Sequence, residues 1–322
     1  MRLLVLIAAI LVANACPLMA KEPSAVQQLL DSARMPADLF QGYAHPFDLE
    51  VDFTAQFKVP AQGHVSLMWN SKDQWWSKVD VAGFNQITIR NGEMEYTSRN
   101  FPYTPPEVSQ LFYLLQIEKR HSEFIPQKSK NRIEDGVSMT CIQAEREDAK
   151  SEVHAICLEA ASHELLSNEW PEPPDLKKRE QFADYFDFEG GRYPRSLEFL
   201  VNSNRTLSAN ETSVSPAPFE PALLVPPKGA IERRMCPGMK HPEGIERFRS
   251  IYKGAGTPEG EITVSFSVLT DGSVDDIQII RSGGKTVDQM TVAAVKRFKY
   301  KPAMCGDEPV VSDMQVTYRT RP

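Results

Sequence analysis

Between residues 49 and 58 apolar and polar side chains alternate without interruption. Leu49, Val51, Phe53, Ala55 and Phe57 stand against Glu50, Asp52, Thr54, Gln56 and Lys58. A period of two predicts a strand with one buried face and one wet face. Residues 65–69 and 75–79 continue the style. Ile87-Thr88-Ile89 and Met94-Glu95-Tyr96 flank Asn91-Gly92, the signature of a hairpin closed by a type I′ turn. A second strand pair surrounds a polar turn near 148–150. A third joins 185–188 to 197–200 through Glu189-Gly190-Gly191-Arg192. Helical signals are fewer. Ser24-Ala25-Val26-Gln27 has the form of a capping box and opens a helix through about Ala33. Leu111, Phe112, Leu114 and Leu115 mark a second helix after Pro105-Pro106.

After Thr212 the pattern breaks into Pro216, Pro218, Pro221, Pro226 and Pro227, a semi-stiff linker. Alternation then resumes. Ile262, Val264, Phe266 and Val268 define a strand, and Thr270-Asp271-Gly272 turns the chain. The apolar phase shifts across Asp275-Asp276, which predicts a bulge. Thr286 to Gln289 reads as a capping box starting a helix with an apolar stripe of Val287, Met290, Thr291, Ala294 and Phe298. Pro302 is placed to stop that helix. Met314, Val316 and Tyr318 form a closing strand. The fold class is therefore α+β: a curved antiparallel sheet with helices, then a small ββαβ unit. The boundaries are 1–20 for a leader, 21–211 for the sheet domain, 212–230 for the linker and 231–322 for the rear domain.

The 322 residues suffice for two cores. The net charge of −7 is unevenly shared: 22 Lys+Arg against 31 Asp+Glu give −9 before Ile231, and 14 against 12 give +2 from there on, so the acidic front argues against nucleic acid as a partner. At the front, Arg2 precedes an apolar run from Leu3 to Val12, with Ala13, Ala15 and Ala20 behind it. This has the form of a secretory signal. Two alternatives are lipidation at Cys16, in a lipobox-like Ala13-Asn14-Ala15-Cys16, and retention as an anchor. Apart from Cys16, the cysteines are Cys141, Cys157, Cys236 and Cys305, which allow three pairings. A hairpin centred on residue 149 sets Cys141 opposite Cys157, close enough for a bridge. Elimination then pairs Cys236 with Cys305. Oxidised pairs suit an exported protein.

Candidate chemistry is sparse. The six histidines (His45, His64, His121, His154, His163, His241) show no metal spacing. No nucleophile elbow, phosphate loop or dinucleotide fingerprint occurs. The expectation is a binding protein without catalytic residues, cofactor or metal. Trp75 and Trp76 would be packing residues first. The basic cluster Lys296, Arg297, Lys299 and Lys301 reads as a solvated helix end.

The rear segment resembles the TonB C-terminal domain family. The residues that carry the likeness are Gly260, Asp271-Gly272, Ser282-Gly283, Asp288, Ala293-Ala294, Phe298 with Pro302-Ala303, Gly306 and Pro309-Val310. The resemblance implies docking by pairing an exposed strand with a partner segment. Here that edge is 312–319, with Ser312, Met314, Val316, Tyr318 and Arg319 as partner-binding residues. The family's transducers carry a functional histidine in an anchor and a long proline-rich span. This chain has no histidine before His45 and only a short proline stretch. The resemblance therefore implies docking to an envelope protein, such as an outer-membrane receptor, in support of transport.

The front domain is similar to the LolA-like lipoprotein carriers at residues 65–69, 73–76, Gly83-Phe84-Asn85-Gln86 and Tyr193-Pro194. That likeness implies an alternative role, a cavity for a lipid or acyl chain. Either role places the protein in the periplasm or cell envelope.

Overall fold

A computed structural model describes residues 24–33, 45–115, 124–146, 152–172, 176–236, 238–244 and 260–320. The leader, Cys16 and the turn near 148–150 lie outside the described residues. Among those described, the protein is mostly antiparallel sheet with three α-helices.

The front half is a meander. Strands β1 (Phe47–Gln56), β2 (Pro60–Ser71), β3 (Gln74–Val81), β4 (Phe84–Asn91) and β5 (Met94–Arg99) pair in sequence. A second run follows: β6 (Phe124–Glu134), β7 (Val137–Arg146), β8 (Val153–Glu159), β9 (Leu165–Glu172), β10 (Leu176–Phe188), β11 (Gly191–Val201) and β12 (Asn204–Pro216). Antiparallel pairing of β1 with β12 fuses the two runs. The result is a 13-stranded sheet with β13 (Ile231–Arg234) at one margin and β6 at the other. Alternation along β1 buries Phe47, Leu49, Val51, Phe53 and Ala55 to 3% exposure or less. The same face takes Leu30 from helix α1 (Ala25–Asp31) and Val108, Leu111, Leu114 and Leu115 from helix α2 (Pro106–Leu115). β6 is otherwise. From Gln127 to Ile133 every side chain is exposed, and Lys128, Lys130 and Arg132 alternate along it.

Local chemistry adjusts several expected features. Ser24 Oγ accepts from the Gln27 N–H at 3.1 Å, but Gln27 Nε2 turns to Asp31 instead of closing the box. Asn91 pairs with Met94, so the loop is Gly92-Glu93 and only Gly92 has positive φ, 64°. The type I′ turn expected at Asn91-Gly92 is not formed. Glycine takes the first loop position, where a left-handed backbone costs it least. Two consecutive positive φ values occur instead in other loops: Ala82-Gly83, Asp135-Gly136, Glu189-Gly190 and Asn202-Ser203. The proline-rich segment also begins later than its composition suggests. Pro216 still pairs with Phe47, and Pro221–Leu224 forms a 3-10 turn against β3 and β4. β13, which follows, pairs with β5.

The rear half has its own core. β15 (Gly260–Val268) lies between β16 (Val274–Arg281) and β20 (Ser312–Thr320). Ile262, Val264, Phe266 and Val268 pack with Val287 and Val295 of helix α3 (Lys285–Val295). The expected bulge is present: the register shifts opposite Ser265 to Ser267, and Asp276 has φ 49°. The capping box expected at Thr286 is replaced. Gly284 caps α3, while Asp288 accepts from the Gly283 N–H (2.9 Å) and Ser282 Oγ (2.6 Å). The buried stripe is Val287, Thr291 and Val295, and Met290 is 37% exposed. Thr291 enters the core because its hydroxyl donates to the Val287 carbonyl. The helix ends before Pro302, which sits between two short strands, β17 (Tyr300–Lys301) and β18 (Ala303–Cys305). β17 pairs with β14 (Glu243–Gly244), and β18 with β19 (Glu308–Val310).

Gly272 shows why the Asp271-Gly272 turn needs glycine. Its φ is 77°, and a Cβ would fall 2.0 Å from the Tyr300 carbonyl oxygen. Tyr300 N–H in turn donates to the Gly272 carbonyl. Gly272→Ala should therefore destabilise the rear half by about 2 kcal/mol or more in chemical denaturation. Gly306→Ala, at φ 61° with open space around it, should cost about 1 kcal/mol. Equal losses in the two variants would contradict the steric account.

Candidate functional site

The strand singled out from sequence, β20, lies at one margin of the three-stranded sheet. Its inner edge pairs with β15 from Gly260↔Thr320 to Val268↔Ser312. Among the described residues no strand pairs with its outer edge. Met314, Val316 and Tyr318 face the α3 core, and Tyr318 is 8% exposed. Ser312 is equally buried. Four of the five expected contact residues thus turn their side chains inward, Ser312 and Tyr318 buried and Met314 and Val316 partly buried. What the strand offers outward is backbone, together with the exposed Asp313, Gln315 and Thr317. Arg319 stands opposite Glu261 in the register.

The alternate face of β20 meets the front half. Arg233 of β13 donates to Asp313 Oδ1 at 2.8 Å and to Ser267 Oγ at 3.2 Å. Gln315 Nε2 donates to the Thr104 carbonyl at 2.6 Å. Glu95 sits beside this cluster. Burial lifts its carboxyl above the usual range, with Asp313 adding to the rise and Arg90 and Arg233 opposing it. Burial likewise lowers the Arg99 guanidinium. Arg90 donates to the Met235 carbonyl at 2.7 Å. Sequence reading found none of these partners. They are 80 residues apart for Arg233 and Asp313, and 211 for Thr104 and Gln315, so no local pattern could pair them.

The cysteines form two bridges. Cys141 and Cys157 are direct cross-strand partners on β7 and β8, with Cα atoms 3.9 Å apart. Cys236, just past β13, is bonded to Cys305 of β18. Arg234 pairs with Glu93 in the β4–β5 turn and with Glu308 at the start of β19. Segment 231–236 is thus a strand of the front sheet and an anchor for the rear half at once.

Two histidine clusters lie elsewhere. His64 is held between Glu50 (2.6 Å) and Asp52 (2.7 Å), with Ser66 also donating to Glu50. Partial burial pulls its pKa down, but hydrogen bonds to Asp52 and Glu50 outweigh this and leave it raised. His154 is buried between the rings of Phe124 and Trp170 and bonded to Asn168, which reaches Glu180. Among the described residues no group of histidine, cysteine or carboxylate side chains is arranged to hold a metal ion. No helix among them is long and apolar enough to cross a membrane.

Comparison with known proteins bears on both halves. The family model described as Gram-negative bacterial TonB protein C-terminal matches residues 256–320, the segment that carries β15, β16, α3 and β20. Among solved structures the chain is similar to a LolA superfamily protein from Nitrosomonas europaea. Identity is 11%, coverage 63% of this chain and 98% of the other, and the TM-score 0.39. It is similar at 10% identity to a putative outer membrane lipoprotein-sorting protein domain from Vibrio parahaemolyticus, over 61% of this chain and 92% of that one, with a TM-score of 0.39. The MucA/MucB complex of Pseudomonas aeruginosa matches at 8% identity over 91% and 93%, with a TM-score of 0.29. No curated protein matches the sequence.

Two outcomes follow from the geometry. Arg233→Ala leaves Asp313 facing Glu95 without its cation, and amide exchange across 312–317 should rise about tenfold while β1 and β2 stay protected. Unchanged exchange there would mean that Arg233 does not secure the strand. For His64, a raised pKa means that its stabilisation is complete below the ordinary value of about 6.5 and is lost as pH rises through the folded-state value. The Tm advantage of wild type over His64→Gln should be largest near pH ~5.5 and close by pH ~9. A gap independent of pH would show that the charged pair contributes nothing.

Proposed function

We propose that this is an exported binding protein of the cell envelope, assisting outer-membrane transport by docking a partner protein along β20. The observation that carries this is the outer edge of β20, with which no strand among the described residues pairs, within the segment that matches the TonB C-terminal family. An edge strand offers a row of unpaired N–H and C=O groups, and a partner segment satisfies them by adding a strand. Affinity then rests on main-chain hydrogen bonds, which fits an edge whose apolar residues already face inward. The domain division at 212–230 belongs to the same reading, with β13 as the piece of the rear segment that secures it to the front.

The lipid-carrier alternative has less behind it. The covered face of the 13-stranded sheet is filled by Leu30, Val108, Leu111 and Leu114 from α1 and α2. An acyl chain lying where those side chains pack would have to displace the helices.

The test is photo-cross-linking in cells from Gln315 replaced by benzoylphenylalanine. Gln315 is exposed on β20, whereas Tyr318 is not. A discrete adduct with one envelope protein is expected. A ladder no stronger than that from a control position on β6 would end the proposal.

A further inference from the structure

The three-stranded sheet of the rear half has a second margin, β16, on the side away from the docking strand. Among the described residues β16 pairs only with β15. Its outer side is open to water, since Asp275, Asp276, Ile279 and Arg281 are all exposed. The register on β15 fixes where each side chain points. Arg281, Gln278 and Asp275 stand opposite Thr263, Ser265 and Ser267, on the face turned away from α3. Ile279 stands opposite Val264, and Ile277 packs against the α3 core. The register shifts once on either side of Gln278. Ile280 is the extra residue of one shift and Asp276, at φ 49°, of the other. Gln278 is therefore a centre of symmetry. Ile277 and Ile279 flank it, then the extra residues Asp276 and Ile280, then the opposite charges Asp275 and Arg281.

We propose that β16 is a homodimer interface, at which two copies of this chain pair edge to edge and antiparallel about a two-fold axis at Gln278. A two-fold contact needs a surface that complements itself. Centred on Gln278, the pairing sets Asp275 of each copy opposite Arg281 of the other, on one face. On the other face it sets Ile277 opposite the second copy's Ile279. Opposite charges and apolar pairs directly across an antiparallel ladder both stabilise it. Ile279, 37% exposed in the lone chain, loses contact with water. Bulges in an edge strand normally turn it away from a straight neighbour. A second copy is no straight neighbour: its own extra residues meet these, Asp276 against Ile280, and the register holds on both sides of the axis. The charged groups are available. Among the described residues Asp275 makes no hydrogen bond or ion pair. Arg281 donates to Glu261 from Nη1 at 3.0 Å, and a guanidinium has further N–H groups for a second carboxylate. The other margins suit self-pairing less. Along β6, Lys128, Lys130 and Arg132 would meet their own charges. On β20 the acid, Asp313, is already held by Arg233. Pairing at β16 leaves a β20 edge open at each end of the joined sheet, so the proposal goes beyond strand docking and does not depend on it.

The experiment uses the full chain and reads mass by light scattering over a dilution series, with Tm recorded for each variant. Wild type should pass from monomer to dimer as concentration rises to ~100 µM. Asp275→Arg and Arg281→Asp each set like charge against like charge, and each should weaken the dimer at least ~5-fold. Mixing the two variants in equal amounts should restore it, because each arginine then faces an aspartate. A defect of folding is not repaired by mixing. If Arg281→Asp does not fold once its contact with Glu261 is lost, Asp275→Arg, which gives up no contact within the chain, decides alone. Gln278→Cys places thiols directly across the axis, with Cα atoms ~4.5–5.5 Å apart, within reach of a disulfide. Oxidation by air with copper–phenanthroline should then give a linked dimer that a thiol reductant separates. Four results would overturn the interface: monomer at every concentration, a dimer indifferent to Asp275→Arg, no recovery when the two folded variants are mixed, or a link formed from Gln315→Cys on β20 but not from Gln278→Cys. Asp275→Arg should leave the cellular adduct from Gln315 intact, so the failure of one proposal is distinguishable from that of the other.

Discussion

The architecture depends on six residues, 231–236, that belong to two structures at once. Through backbone pairing they are the last strand of the front sheet. Through Arg233, Arg234 and Cys236 they hold the rear sheet and its hairpin. Exposed ion pairs of this kind contribute little singly, on the order of 0–1 kcal/mol. The covalent bridge is different. It closes 69 residues of chain and keeps the charged groups in register whether or not each pair is formed at a given moment. With that segment in place, the orientation of α2 toward β15 and β20 is a property of the chain rather than of a loose linker.

Where a structural feature depends on near neighbours, the sequence made it legible. Alternation located β1, β2, β4, β15 and β20 because a half-buried strand has to alternate. The bulge in β16 was visible as a change of phase. The site's strand and its register parity were legible for the same reason. What failed was fine placement. Capping at α3 passed from Thr286 to Gly284, because Asp288 folds back onto Ser282 and Gly283. Met290 gave way to Val295 in the core because the stripe is set by the packing angle on β15, which periodicity does not contain.

The contacts between the halves were not legible at all. Arg233, Thr104 and Arg90 are unremarkable residues in strand ends and loops. Their partners are fixed by the path of the whole chain, which brings β13 back beside β5 after nine intervening described elements of sheet, helix and turn.

The sheet margins at β6 and β20 differ in a way that bears on the protein's behaviour in a crowded compartment. The margin at β6 is long and set with Lys128, Lys130 and Arg132, so a second copy approaching it meets like charge. At β20 the one acidic group near the front half, Asp313, is neutralised by Arg233, and Gln315 and Thr317 carry no charge. Self-stacking is discouraged at one side, while the other stays permissive. Copies of the protein are therefore discouraged from stacking through β6, while the edge proposed for docking carries no such repulsion.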